Sequence, residues 1–328
     1  MKYFLRSLLV FSIPLLLLIV VGLVLPPTPR ASTSHLFAKH QMDSLLRNVR
    51  SPRLILVGGS NISLSINSQI IKDSLRINPI NTGLSINIGL CYMIDNTLDY
   101  VQRGDIVVVS PEYDQFFNRV SLGGEDLVRT VFDVSRESIF NLRPSQAIRI
   151  IPLVPYYSLS KFKVREYTSE RDPAEIYDRD AFNAYGDNCK HWTRTGQNVA
   201  ALKPLDIKSF DQFAIDLLAD FETALKQKGA RLLVTFPALQ EESFLSQRNG
   251  IKKVETEMKK VGFSLVGSPE RYIVPDSLLF DSPYHLVKMG VDKRTLLLVR
   301  DLKNTLSMQD MNRYQALHPQ GSFEKVKD

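Results

Sequence analysis

A serine, a histidine and an aspartate stand where they could carry out nucleophilic catalysis. Ser60 follows a short apolar run and two glycines, and His285 follows Asp281 by four residues. A serine hydroxyl becomes a useful nucleophile when a base accepts its proton, and an acid beside that base stabilises the charged imidazole. The three residues therefore predict a hydrolase or an acyltransferase that forms an acyl-enzyme on Ser60.

His285 is the best placed of the five histidines, because an aspartate precedes it so closely. Asp276 is the alternative acid for this histidine. A Gly-Gly-Ser turn can also bind phosphate or be purely structural, so the serine segment alone does not decide the chemistry. The other histidines fall in a predicted stalk, an insertion and the tail, at positions His35, His40, His191 and His318.

An acyl-transfer site also needs hydrogen-bond donors aimed at the developing oxyanion. Ser60 is predicted to open a helix, whose first N–H groups are free. Gly83, after the second strand, can bring another N–H close because it has no side chain. Glu112, after the third strand, is a further candidate for the oxyanion or substrate-binding site, and the alternatives are a catalytic carboxylate and a solvated or salt-bridged acid. Side-chain amides could add donors, and the candidates are Asn61, Asn81 and Asn87.

The elements that must position these residues alternate between strand and helix. Such alternation predicts an α/β fold with a doubly wound parallel sheet, in which the carboxyl ends of the strands share one edge. The uniformly apolar third strand suits a sheet covered by helices on both faces. The predicted strands are 54–57, 77–82, 106–110, 231–236 and 263–266, and the predicted helices are 62–75, 89–101, 210–226, 242–261 and 287–304.

A long insertion, at about 112–208, separates the third strand from the fourth. This length far exceeds an ordinary crossover, and such insertions often shape a substrate site. It contains His191 and Trp192. The indole could stack on a sugar, and the alternative is a packed aromatic residue.

The amino-terminal segment is predicted to anchor the chain in a membrane. Residues 7–25 carry no charge and are long enough to cross the bilayer, and Lys2 and Arg6 precede them. Residues 1–26 would then be a cytoplasmic tip and plasma-membrane anchor, with the rest periplasmic or extracellular. A cleaved signal peptide is the alternative. The remaining predicted parts are a juxtamembrane stalk at 27–52, the α/β domain at 53–304 and a polar tail at 305–328.

Composition argues against several classes of protein. The net charge of +6 is modest for 328 residues and no long block of like charge occurs, so nucleic acid is not an expected partner. No cluster has metal-ligand spacing and no nucleotide-binding motif occurs, so neither a metal nor another cofactor is predicted. The two cysteines, Cys91 and Cys189, could form a disulfide outside the cytoplasm, although the apolar pattern around Cys91 favours a core position.

The arrangement resembles the SGNH, or GDSL-type, hydrolase superfamily over roughly residues 53–304, outside the insertion. More narrowly, it is similar to membrane-anchored DltD-type and alginate O-acetylation proteins, which work with membrane-bound O-acyltransferases. The matching segments are Gly59-Ser60, the run from Ser110 to Tyr113, and His285-Leu286 with Gly290. The resemblance implies a flavodoxin-like sheet, acyl chemistry on a cell-surface polysaccharide and a membrane-bound acyltransferase as a possible partner.

Three departures from the family pattern separate two hypotheses. Gly59 replaces the aspartate of Gly-Asp-Ser, Glu112 stands where the hydrolases carry an oxyanion asparagine, and Asp281 precedes His285 by four residues rather than three. The first hypothesis is an acyltransferase or esterase that acts on acetyl or related O-acyl groups through Ser60, His285 and Asp281. The alternative is a non-catalytic, SGNH-shaped partner of an integral acyltransferase, because an ionised glutamate cannot donate a hydrogen bond.

Overall fold

A parallel sheet of five strands forms the centre of the α/β fold. The computed structural model describes residues 2–168, 171–172 and 174–306. The strands are β1 (Arg53–Gly58), β2 (Asn78–Asn81), β3 (Ile106–Ser110), β4 (Arg231–Thr235), β5 (Leu239–Gln240), β6 (Leu265–Val266) and β7 (Ile273–Val274). The central sheet has the order β2-β1-β3-β4-β6, and β5 pairs with β7 separately. This order is consistent with a flavodoxin-like fold, and the predicted α/β class is confirmed.

Helices cover both faces of the central sheet because its strands are apolar on both faces. Ile55 and Val57 of β1 pack into one core cluster, and Leu54 and Leu56 pack into a second cluster on the opposite face. The first cluster includes residues of α2 (Lys39–Asn48), α5 (Leu90–Tyr100), α10 (Gln212–Gln227) and α11 (Glu241–Val261), and the second includes residues of α4 (Ser68–Leu75) and α12 (Lys288–Thr305).

The single helix predicted at 62–75 is two helices in the structure. A four-residue helix, α3 (Ser60–Ser63), ends before the chain turns into α4. Asn67 begins the second helix, since its side chain accepts a hydrogen bond from the Gln69 N–H at 3.2 Å and caps α4. Periodicity alone missed this break because apolar residues continue through it.

The segment predicted as a stalk packs into the domain. Leu36, Ala38, Met42 and Leu46 are each no more than 2% exposed and belong to the larger core cluster. Residues 36–46 therefore contribute side chains to the α/β core, whereas the sequence predicts a stalk over this stretch. Arg47 and Arg50 are exposed and give this stretch a polar sequence, whereas Met42 and Leu46, four residues apart, share the buried face of α2.

A buried ion pair joins this segment to the sheet. Arg53 is fully buried, and its guanidinium contacts Asp105 at 2.7 Å while it also donates to the backbone carbonyls of Leu46 and Tyr100. The arginine therefore has partners for both its charge and its N–H groups, which a buried cation requires.

The amino-terminal helix α1 (Lys2–Val24) covers most of the span predicted at 7–25. Within the described residues, no helix has the length and apolar character needed to cross a membrane. The predicted tail at 305–328 lies outside the described residues from position 307 onward.

Short helices build the insertion between β3 and β4. They include α6 (Glu125–Arg129), α7 (Pro144–Ile150), α8 (Val154–Ser160) and α9 (Arg165–Thr168). Both cysteines are free thiols, so the possible disulfide is absent. Cys91 lies in the core as expected, where burial raises the pKa of its thiol to about 12.

Candidate active site

Ser60 lies at the carboxyl end of β1, where the strand turns into α3. The residue is half-buried, and its hydroxyl has no hydrogen-bond partner among the described residues. Its backbone N–H is the first of the helix and so has no acceptor within α3. The serine therefore presents both a free hydroxyl and a free N–H at the edge of the sheet.

Glycines allow the backbone around Ser60 to pack closely against its neighbours. A Cβ on Gly58 would lie 2.8 Å from the Ser110 carbonyl oxygen, and one on Gly59 would lie 2.6 Å from Glu112 Oε1. A Cβ on Gly83 would lie 2.7 Å from the Gly59 carbonyl oxygen. These separations are too short for real contacts, so a side chain at Gly58 or Gly83 would push the neighbouring backbone away, and one at Gly59 would displace the Glu112 carboxyl.

His285 and Asp281 form a close pair on the loop before α12. His285 Nδ1 donates to Asp281 Oδ1 at 2.7 Å, and the two side chains are 8% and 15% exposed. This bond fixes the imidazole so that Nε2 is the free nitrogen. The alternative acid, Asp276, is exposed and instead accepts a hydrogen bond from Gln240 at 3.0 Å.

Tyr177, from the insertion, contacts both Asp281 and His285, and the sequence does not predict this contact. Its hydroxyl donates to Asp281 Oδ2 at 2.7 Å and lies 3.3 Å from His285 Nδ1. Burial disfavours the charged form of Asp281, yet the hydrogen bonds from His285 and Tyr177 outweigh it and hold the pKa of this carboxyl below its ordinary value. No sequence pattern marks Tyr177, since more than one hundred residues separate it from its partner.

The loop that carries His285 is attached to the segment that follows Ser60. Ser65 Oγ donates to the Tyr284 carbonyl at 2.7 Å, and the Leu286 N–H points to the Leu64 carbonyl at 3.4 Å. The structure contains no hydrogen bond between Ser60 and His285. Catalytic hydrogen bonds often tighten only when substrate is bound, so the pair stays a candidate for proton transfer.

Two further histidines lie near this site: His191 contacts the loop that carries His285, and His35 packs against Tyr177. His191 is fully buried, its Nε2 donates to the Leu286 carbonyl at 3.0 Å, and burial lowers its pKa to about 4. Its neighbour Trp192 packs against a small core cluster, so the structure favours the packed-aromatic interpretation. His35 packs edge-on against Tyr177 with a ring separation of 5.7 Å, although the sequence analysis assigned it to the stalk.

Asn61, Asn81 and Gly83, predicted as oxyanion donors, make hydrogen bonds within the fold. Asn61 Nδ2 donates to the Ser110 carbonyl at 3.0 Å, and Asn81 Nδ2 donates to the Ile62 carbonyl at 3.1 Å. The Gly83 N–H donates to Asn81 Oδ1 at 3.0 Å. All three hold the turn around Ser60 in place. The fourth candidate donor, Asn87, is exposed on the loop that passes Gly59.

Asp187, a buried aspartate of the insertion, forms hydrogen bonds with both Asn81 and Ser68. Asp187 accepts hydrogen bonds from Asn81 Nδ2 at 2.9 Å, from Ser68 Oγ at 2.6 Å and from the Ser68 N–H at 2.8 Å. Burial raises the pKa of Asp187, and these hydrogen bonds oppose that rise. Its contacts connect the insertion to the end of β2 and the start of α4.

Glu112 lies directly against the backbone on either side of Ser60. It is 4% exposed, and its Oε1 lies 3.4 Å from the Asn61 N–H. Burial, with a smaller contribution from Asp114, raises the pKa of Glu112 to about 8. A carboxyl with this pKa is mostly protonated at neutral pH, and a protonated carboxyl can donate one hydrogen bond. The expectation of an ionised glutamate that donates nothing therefore does not suit this environment.

Other kinds of site find no support in the described part of the chain. Among those residues, no group of histidine, cysteine, aspartate and glutamate side chains is arranged to hold a metal ion. Comparison with models of known protein families gave no match for this chain, and comparison with curated proteins gave none.

The hydrogen bond from Tyr177 predicts how the site titrates. We expect Tyr177→Phe to raise the pKa of Asp281, because the carboxylate loses one of the two side-chain donors that stabilise its charge. Carbon-detected NMR titration of the Asp281 carboxyl would measure the change. Tyr185→Phe is the matched control, since the Tyr185 hydroxyl lies in the same insertion and donates to Gln69. An unchanged Asp281 titration in Tyr177→Phe would contradict the role assigned to this tyrosine.

Proposed function

We propose that this protein is a serine-dependent O-acyltransferase or esterase that works through an acyl-enzyme on Ser60. One observation carries the proposal: the 2.7 Å bond between Asp281 and His285 orients an imidazole on a loop that is attached to the segment just after Ser60. A nucleophile, a base and an orienting acid at one sheet edge are the parts that acyl transfer needs.

The first half-reaction would acylate Ser60. Its Oγ attacks the ester carbonyl carbon while its proton passes to His285 Nε2, and Asp281 stabilises the resulting imidazolium. The bond from Oγ to the acyl carbon forms, the ester C–O bond breaks, and the departing alkoxide takes the proton from Nε2. Asp281 stays ionised throughout, which agrees with its lowered pKa.

The second half-reaction would return the serine to its starting state. A water molecule or a sugar hydroxyl attacks the acyl carbon and gives its proton to His285 Nε2. The bond from the acyl carbon to Ser60 Oγ breaks, and Oγ takes the proton back. Attack by water makes the protein an esterase, and attack by a sugar hydroxyl makes it a transferase.

Glu112 would act in its protonated form as an oxyanion donor, together with the Ser60 N–H. The two groups flank the same backbone turn, because Glu112 Oε1 approaches Gly59 on one side and the Asn61 N–H on the other. A carboxylic acid kept neutral by an apolar site can donate a hydrogen bond to an oxyanion. As an oxyanion donor, Glu112 would take the place of the asparagine found in the SGNH-type hydrolases that this sequence resembles.

The substrate class and location in this proposal rest on the sequence. The resemblance to SGNH-type proteins suggests acetyl esters of a cell-surface polysaccharide as the substrate and a membrane-bound O-acyltransferase as a partner. The membrane anchor and the periplasmic or extracellular location likewise stay predictions.

A non-catalytic partner of an integral acyltransferase is the second candidate. It is favoured by the hydrogen bonds that occupy Asn61, Asn81 and the Gly83 N–H, which leave fewer donors for an oxyanion. Covalent labelling of the serine separates the two candidates, because a scaffold needs no reactive nucleophile.

We expect a fluorophosphonate probe to label Ser60 in the folded, full-length protein. The labelled peptide, identified by mass spectrometry, should contain Ser60, and Ser60→Ala should remove both the label and the hydrolysis of an aryl acetate. His285→Ala should slow labelling by about 10³-fold or more, since the base is lost. Ser44→Ala is the matched control, because Ser44 is exposed on α2. Absence of labelling in a protein with native circular dichroism would favour the scaffold.

The role of Glu112 predicts a specific pH dependence. Because its pKa is raised to about 8, the donor form is present below that pH and is lost above it. We expect kcat/KM for ester hydrolysis to be about tenfold lower at pH 9 than at pH 7 as Glu112 ionises. Glu112→Gln should remove this alkaline decline, since an amide donates at every pH. The exposed Glu125 provides the control variant, Glu125→Gln, in which the decline should remain. A decline that persists in Glu112→Gln would contradict the assignment.

A further inference from the structure

The insertion exposes large apolar side chains over residues 140–167. Phe140 is 89% exposed, Ile148 is 70% exposed, Ile151 is 63% exposed and Val164 is 73% exposed. Single exposed apolar residues are ordinary, but a cluster of this kind marks a surface that contacts a partner or a membrane. We call the exposed apolar side chains within residues 140–167 the apolar patch.

These exposed side chains do not pack into the core of the domain. Along α7, α8 and the turn between them, the exposed residues Ile148, Ile151 and Leu159 face outward, while Ile150 and Tyr157 are 4% exposed and belong to the core. The helices are therefore already attached to the domain by their inward residues. The outward residues remain available for a second contact.

The apolar patch continues into α1. Ser158 Oγ donates to the Ile19 carbonyl of α1 at 2.6 Å, and Lys161 Nζ donates to the Leu25 carbonyl at 2.8 Å. Side chains on α1 are also apolar and exposed, with Phe11 at 78% and Val24 at 68%. The two surfaces thus adjoin, and whatever covers the carboxyl-terminal part of α1 also reaches α8.

Basic residues surround the apolar side chains. Residues 136–167 contain six arginines and lysines and two glutamates, and two of these cations, Arg143 and Lys161, form ion pairs with Asp95 and Asp133. Arg149 is exposed, and Lys163 is exposed with its ammonium 5.2 Å from the centre of the Tyr156 ring. Apolar residues mixed with tyrosines and cations are typical of helices that lie in the interface of an anionic membrane.

We propose that the apolar patch inserts into the headgroup and upper acyl region of an anionic lipid bilayer. The patch would hold the α/β domain against the membrane surface beside α1, in an orientation fixed by α7 and α8. Adjacent cations would contact the lipid phosphates, which favours a bilayer over an uncharged protein surface. This inference does not depend on the catalytic role of Ser60.

The depth of an added tryptophan tests the proposal directly. The full-length protein would be reconstituted in phosphatidylcholine–phosphatidylglycerol vesicles with and without brominated acyl chains, which quench nearby tryptophans. Phe162→Trp places the probe in the patch at a residue that is 43% exposed. Leu245→Trp is the matched control, because Leu245 is an exposed apolar residue on α11. The native Trp192 provides the common background in each variant.

We expect brominated lipid to quench the added fluorescence at position 162 several-fold more than that at position 245. Ile151→Trp is the second probe, should Phe162→Trp not fold, and it should behave in the same way. Because α1 could retain the chain on vesicles by itself, retention alone does not test the patch. Equal quenching in the patch and control variants, or none in either, would overturn the proposal and leave the surface to a protein partner.

Discussion

The position of Ser60 depends on how closely three backbone segments approach one another without side chains between them. Gly58 and Gly59 bring the end of β1 against Ser110 and Glu112, and Gly83 brings the next loop against the same turn. The hydrogen bonds of Asn61 and Asn81 then fix the turn. The serine is thus held by a rigid, buried framework while its own hydroxyl remains free. Precise placement of this kind is what a nucleophile requires.

Two carboxyl groups near this turn are held in opposite protonation states by their surroundings. Asp281 receives hydrogen bonds from His285 and Tyr177, and they lower its pKa despite its burial. Glu112 is buried with one weak backbone donor, and its pKa rises to about 8. Environments that push two carboxyl pKa values apart commonly assign them different tasks. In this account, Asp281 keeps its charge to support the base and Glu112 keeps its proton to stabilise an oxyanion.

Sequence patterns predicted the elements whose residues repeat locally, and missed the contacts that join distant segments. β3 lies at 106–110 as its apolar run indicated, and Asp281 was paired with His285 because the two are near neighbours in the chain. Tyr177 and Asp187 come from an insertion that lacks periodicity, so their contacts with the site required the folded chain. The sequence predicts Asn81 and Gly83 as oxyanion donors, whereas in the structure Asn81 Nδ2 donates to the Ile62 carbonyl and to Asp187, and the Gly83 N–H donates to Asn81 Oδ1.

The structure of a phosphonate adduct would show whether Ser60, His285 and Glu112 act together, because the adduct mimics the tetrahedral intermediate. We expect phosphorus bonded to Ser60 Oγ, with a phosphoryl oxygen about 2.7–3.1 Å from the Glu112 carboxyl and from the Ser60 N–H. His285 Nε2 should then lie within hydrogen-bond distance of Ser60 Oγ while Nδ1 keeps its bond to Asp281. An adduct whose phosphoryl oxygen faces away from Glu112, with His285 remote from the serine, would contradict the proposed mechanism.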